Sequence, residues 1–112
     1  LSLRVDIVPN PGIHIYAPGA KGYAPITLTV GTPKDALLGP THYPPSQLWV
    51  VGAESVPAYQ RAFQLTRDVT LARSTKPGTA LVLSGTLDYQ ACDDTICFVP
   101  AALPVSWNVV VR

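Results

Sequence analysis

"LVLSGTLDYQACDDTICFVP", residues 81–100, decides between a helical and a β chain. Leu81, Leu83, Leu87, Tyr89 and Ala91 alternate with Val82, Ser84, Thr86, Asp88 and Gln90. A period of two is the mark of a strand with one buried face. Gly85 interrupts that strand. Beyond it, Cys92 and Cys97 flank Asp93-Asp94-Thr95-Ile96, a connection of common hairpin length that is usually built on a type I turn. Aspartate is favoured there because its side chain bonds nearby backbone N–H groups.

The same period recurs outward in both directions. Leu1, Leu3, Val5 and Ile7 alternate with Ser2, Arg4 and Asp6. After the Pro9-Asn10-Pro11-Gly12 turn, Ile13 and Ile15 point one way and His14 and Tyr16 the other. Ile26, Leu28 and Val30 alternate with Thr27 and Thr29. Residues 31–47, rich in Pro and Gly, read as irregular, and Leu48 to Val51 as a short strand. Phe63, Leu65, Val69 and Leu71 form a further strand, where Arg67 breaks the apolar face and predicts a bulge or an edge. Leu103, Val105, Trp107, Val109 and Val111 are the expected inward set of the last strand. No segment shows a capped helical stripe. About seven short strands with regular turn signals predict an all-β, immunoglobulin-like β-sandwich with the cysteine pair on a β-hairpin.

The chain has 112 residues, 47% hydrophobic and 13% charged, which fits one packed domain over residues 1–112. A domain excised from a larger protein is expected, because strand-like sequence begins at Leu1 without a leader. A net charge of +1 with no long basic run gives no support to nucleic-acid binding. No run reaches the ~18 apolar residues of a membrane span, so membrane attachment would come only through segments outside this sequence.

The cysteine spacing permits a disulfide. Residues flanking such a loop face each other about 4.5–5.5 Å apart at Cα, within the range the bond needs. Cys92 continues the even, polar phase of its strand, which predicts a position near the surface and within a partner's reach. A bond closing so short a loop stabilises by roughly 2 kcal/mol, so the domain does not obviously need it. A zinc site would have to recruit His14 and His42, which are distant in sequence. The chain has no Met to accompany a copper-transfer role. From the residues alone, a structural clip, a redox pair and a metal site all remain open. Asp93 and Asp94, with no nearby Lys or Arg, argue against a strongly acidified thiol. Trp49 and Trp107 read as core, and His42-Tyr43-Pro44-Pro45 as a simple loop.

"LDYQACDDTICFVP" at 87–100 resembles the cysteine motif of the N-terminal periplasmic domain of the thiol:disulfide interchange protein DsbD and of related fused modules. "PGIHIYAPG" at 11–19 and "AYQRAFQLTRDVTL" at 58–71 resemble its early motif and middle strand. The resemblance implies a thiol:disulfide oxidoreductase module in the periplasm or another extracytoplasmic space, with no cofactor and no metal. It implies a thioredoxin-like redox domain as electron donor and periplasmic disulfide-containing proteins as acceptors, with exchange through a mixed disulfide. Carried over, Cys97 meets the partner and Cys92 resolves. His14 and Tyr16 align with the aromatic pair beside the cysteines and would form an outward-facing site wall. Asp93, Asp94, Phe98 and Pro100 would support the site. A cap loop would lie near Gly52 to Pro57, with Glu54, Ser55 and Val56 as its candidates. The chain departs from the family in having C-x4-C spacing, a single Pro100 and no aromatic residue in that loop. A monomer is expected. The rival reading is a non-enzymatic β-sandwich interaction module whose disulfide is a clip.

Overall fold

The computed structural model describes residues 1–31, 33–51 and 53–112. Ten strands follow one another, with no helix among the described residues. They are β1 (Ser2–Ile7), β2 (His14–Tyr16), β3 (Thr27–Val30), β4 (Ala36–His42), β5 (Gln47–Val51), β6 (Glu54–Tyr59), β7 (Phe63–Leu71), β8 (Ala80–Tyr89), β9 (Ala91–Cys92) and β10 (Ala101–Val110). All pairings are antiparallel, in three sheets ordered β1-β7-β4, β10-β8-β3 and β5-β6-β2-β9. The arrangement is an immunoglobulin-like β-sandwich.

The alternation seen in the sequence sets the core. Leu3, Leu28, Val30, Leu65, Val69, Leu83 and Leu87 are buried together, with Ile15 and Tyr59 closing one end. Leu1, just before β1, and Leu103 in β10 keep the apolar phase but lie exposed, and both strands are outer strands of their sheets. Trp107 is half-buried in β10, and its indole Nε1 donates to the Arg4 carbonyl at 3.1 Å, tying two sheets together. Gly85 does not interrupt β8. The strand runs through it with Val30 and Val105 as register partners, and the Thr29 carbonyl lies where a Cβ would sit.

Four local expectations are corrected. The stretch 31–47 contains β4 and the start of β5. β4 is an outer strand on which Gly39 and Pro40 together oppose Asp68, so proline's missing N–H is tolerated at a bulge. The bulge therefore sits on β4, opposite the Arg67 region, and β7 is a central strand. Arg67 is accommodated by a 2.9 Å bond from Nη1 to Thr41 Oγ1. His42 belongs to β4 rather than to a loop, and its Nε2 lies 2.8 Å from Asp68 Oδ2. Finally, most of the expected cap loop is strand β6, hairpinned onto β5; Gly52 lies outside the described residues.

β8 and β9 are one chain direction split at Gln90. β8 pairs with β3 and β10, and two residues later β9 pairs with β2 in a different sheet. That switch delivers the cysteines to the aromatic strand, with His14 opposite Cys92.

Candidate functional site

The cysteine turn is built from its own polar groups. Asp93 N–H donates to the Ile96 carbonyl at 2.9 Å, and the Asp93 carboxylate accepts from the N–H groups of Thr95 and Ile96 at 2.7 Å each. Those two amide bonds hold the Asp93 carboxyl below its ordinary range. Below the turn, Phe98 N–H donates to the Ala91 carbonyl at 2.9 Å. Gln90 braces both sides, accepting from Ala24 N–H at 3.0 Å and donating to the Phe98 carbonyl at 3.4 Å. Cys92 and Cys97 face each other in an antiparallel bridge with Cα atoms 4.0 Å apart, slightly closer than the spacing predicts, and they are joined as a disulfide.

The two sulfur-bearing residues differ in exposure. Cys92 is 1% exposed, whereas Cys97 lies on the surface. The even phase of the strand does not take Cys92 to solvent, because that face is covered. Cys92 packs with Tyr16, Val56 and Ala58, and Ala20, Tyr23 and Trp49 close over the cluster.

His14 and Tyr16 share that face and are not outward-facing: each is 1% exposed. They do point away from Ile15, as the alternation requires, but into a second small core. Trp49 stacks on His14 with centroids 4.1 Å apart, and Tyr23 stacks on Tyr16 at the same distance. The rings of His14 and Tyr16 meet edge-on, with His14 Nε2 3.4 Å from Tyr16 Oη. Tyr16 Oη in turn lies 3.7 Å from Cys97 Sγ. Burial drives the Tyr16 hydroxyl up to about 12, with Tyr23 adding to it. Burial lowers the His14 pKa, opposed by the charges of Asp94 and Asp93.

The remaining expected residues divide. Val56 joins the cluster around Cys92, while Glu54 and Ser55 are exposed and line, with Gly19, Lys21 and Tyr23, a cleft that Val56 also borders. Asp94 stands at the tip of the cysteine turn and Pro100 is exposed before β10. Phe98 is 46% exposed and, with Val99 and Leu103, lines an apolar groove of about 550 Å³ that runs to Ile7 and Val8. Tyr59 and Phe63 stack on each other in the main core, 3.9 Å between centroids. No group of three or more metal-ligating side chains occurs among the described residues.

Sequence reasoning did not assign Trp49, Tyr23 or Gln90 to this site. Trp49 lies in the unbroken apolar run 48–51, which has no alternation to show which side chains face inward, and the structure leaves its neighbours Leu48 and Val50 exposed. Tyr23 sits between Gly22 and Ala24-Pro25, outside any strand, and carried no signal.

A buried and an exposed cysteine joined across a tight turn, beside an aromatic strand, form an arrangement suited to disulfide exchange at one sulfur. The family model of the thiol:disulfide interchange protein DsbD, N-terminal, matches residues 1–105. The chain belongs to the DsbD N-terminal family. Membership and the bonded cysteine pair together support a thiol-disulfide exchange module. No curated protein and no solved structure gives a significant match. The DsbD N-terminal assignment therefore rests on the family model, the fold and the cysteine turn.

Proposed function

We propose that this domain relays electrons by reversible exchange at the Cys92–Cys97 disulfide. It takes them from a thioredoxin-like redox domain and gives them to disulfide-containing proteins in the periplasm or an equivalent extracytoplasmic space. The observation that carries the reading is the asymmetry of the pair, with Cys97 exposed and Cys92 buried. A donor thiolate attacks Cys97 Sγ, the bond to Cys92 breaks, and a mixed disulfide forms through Cys97. The donor's second thiolate then attacks its own half of that bond and releases both cysteines of this domain reduced. Delivery to an acceptor runs the same steps in reverse, with Cys92 resolving. The exposed apolar side chains of Ile96, Phe98 and Val99 beside Cys97 give a docked partner a surface to cover. Asp93 and Asp94 put negative charge beside the thiols, so exchange is favoured inside a docked complex over free reaction with solvent thiols.

Single-cysteine variants test the proposal. Cys92→Ser, activated at Cys97 as a thionitrobenzoate disulfide and mixed with a reduced thioredoxin-like domain that keeps only the attacking cysteine of its CxxC, should accumulate a mixed disulfide through Cys97 with release of thionitrobenzoate; Cys97→Ser, activated at Cys92, should not. Equal trapping through both sulfurs, or none through Cys97, would leave the structural-clip reading in place.

A further inference from the structure

Thiol exchange needs a proton to leave the attacking sulfur. Among the described residues, the side-chain group within hydrogen-bond reach of Cys97 Sγ is the Tyr16 hydroxyl, at 3.7 Å. Asp93 is nearby in sequence, but its carboxylate is already engaged by two backbone N–H groups. Behind Tyr16 lies His14 Nε2, at 3.4 Å, so the sulfur of an exposed residue is connected to a fully buried imidazole through one hydroxyl. The other imidazole nitrogen, Nδ1, is buried without a partner. A buried polar atom left without a partner is costly and calls for an explanation. A histidine is usually locked into one tautomer by a bond to its second nitrogen. His14 has no such bond. Its proton can reside on Nδ1 and leave Nε2 free to accept from Tyr16.

We propose that His14 is the proton acceptor for Cys97, acting through the Tyr16 hydroxyl. The inference rests on the exchange reading above. In the reduced domain, the Cys97 Sγ proton passes to Tyr16 Oη as the Tyr16 proton passes to His14 Nε2. Tyr16 ends neutral and His14 ends as imidazolium. The Cys97 thiolate attacks one sulfur of the acceptor disulfide, that bond breaks, and the second acceptor sulfur leaves as thiolate. Cys92 then attacks Cys97 Sγ, giving its proton to that second acceptor thiolate. The first acceptor sulfur leaves beside Tyr16 and takes the stored proton back from His14. Two electrons and two protons pass to the acceptor disulfide, which is the oxidant.

Burial of the ring opposes the imidazolium, and the charges of Asp94 and Asp93 offset part of that cost while the proton is held. Asp93 and Asp94 face it from the cysteine turn, Trp49 of β5 contributes an uncharged stacked ring, and Tyr23 stands behind Tyr16. Glu54 of β6 and Lys21 lie at the outer cleft beyond Tyr23. With its hydroxyl pushed up to about 12, Tyr16 passes a proton on and does not hold the charge itself. The lowered pKa keeps His14 neutral, and able to accept, at neutral pH.

The test is the pH profile of Cys97 alkylation by iodoacetamide in the Cys92→Ser background, which needs no protein partner. The profile should show the thiol titration and a second inflection below pH 6.5 from His14. His14→Phe, which keeps the stack on Trp49, and Tyr16→Phe should each erase that inflection. Each should slow alkylation at neutral pH by about 100-fold, the low end for a positioned acid–base group. The double variant should be no slower than either single one. Unchanged profiles, or losses that multiply in the double variant, would overturn the relay. If His14→Phe unfolds by circular dichroism, Tyr16→Phe alone decides between these outcomes. Because the probe is a small electrophile, a failed partner trap sinks the exchange reading without touching this result.

Discussion

Reducing the Cys92–Cys97 bond should leave the domain folded and weaken it by about 2 kcal/mol. The bond joins residues five apart in sequence, so the closed loop holds six residues. Chain entropy for a loop that small gives about 2 kcal/mol. Every other contact of the turn survives reduction: the Asp93 carboxylate on two amides, Phe98 N–H on the Ala91 carbonyl, and the His14–Cys92 register. Domains of this size have roughly 5–15 kcal/mol to lose, so the reduced protein remains native. By linkage, folding favours the oxidised pair by the same amount. The native pair should then be more reducing than the same pair in the unfolded chain by only about 45 mV, since 30 mV corresponds to about 1.4 kcal/mol for two electrons. Urea unfolding of oxidised and reduced protein reads the first figure. Glutathione titration with and without denaturant reads the second. If the reduced protein lost its cooperative transition, or weakened by more than about 5 kcal/mol, the loop-closure argument would fail and the bond would be a staple.

Three further outcomes follow from the same contacts. Asp93→Ala removes the acceptor for Thr95 and Ile96 N–H and should cost about 1 kcal/mol in urea unfolding, while Asp93→Asn, which keeps an acceptor oxygen, should cost less; equal losses would refute the assignment. Gly85→Ala forces a Cβ against the Thr29 carbonyl and the Val30 backbone, and should destabilise by about 1–3 kcal/mol; an unchanged melting temperature would contradict the register there. The lowered pKa of His14 makes the unfolded chain bind the extra proton first, so its contribution to stability is complete above pH 6.5 and is lost as the pH falls through the folded value. His14→Phe should flatten that limb, leaving the lower window below 3.8 set by Asp68 and Asp93.

The strands that the sequence made legible are those whose alternation serves one buried face. β1, β3, β7 and β8 alternate apolar residues against the main core, interrupted only at Arg67 and Gly85. β4 and β6 were hidden by Gly39-Pro40 and Pro57, residues that ordinarily end strands but here occupy a bulge and a hairpin arm. At the site, the turn was legible because Asp93 carries a local mechanism. The burial of Cys92, His14 and Tyr16 was not, because it depends on what lies over their side of the sheet. That cover comes from Trp49, Val56 and Tyr23, which are brought there by tertiary folding and carry no shared periodicity.

The pairing of His14 with Cys92 joins the first strands of the chain to nearly the last. In a nascent or unfolded chain, Cys92 and Cys97 are equivalent thiols, close enough to oxidise at once and open to the same reagents. Folding breaks that symmetry, sinking one sulfur and leaving the other displayed. The domain therefore acquires a front and a back to its cysteine pair only on completing its topology, and it is the concealment of Cys92, not the exposure of Cys97, that distinguishes the folded chain from the unfolded one.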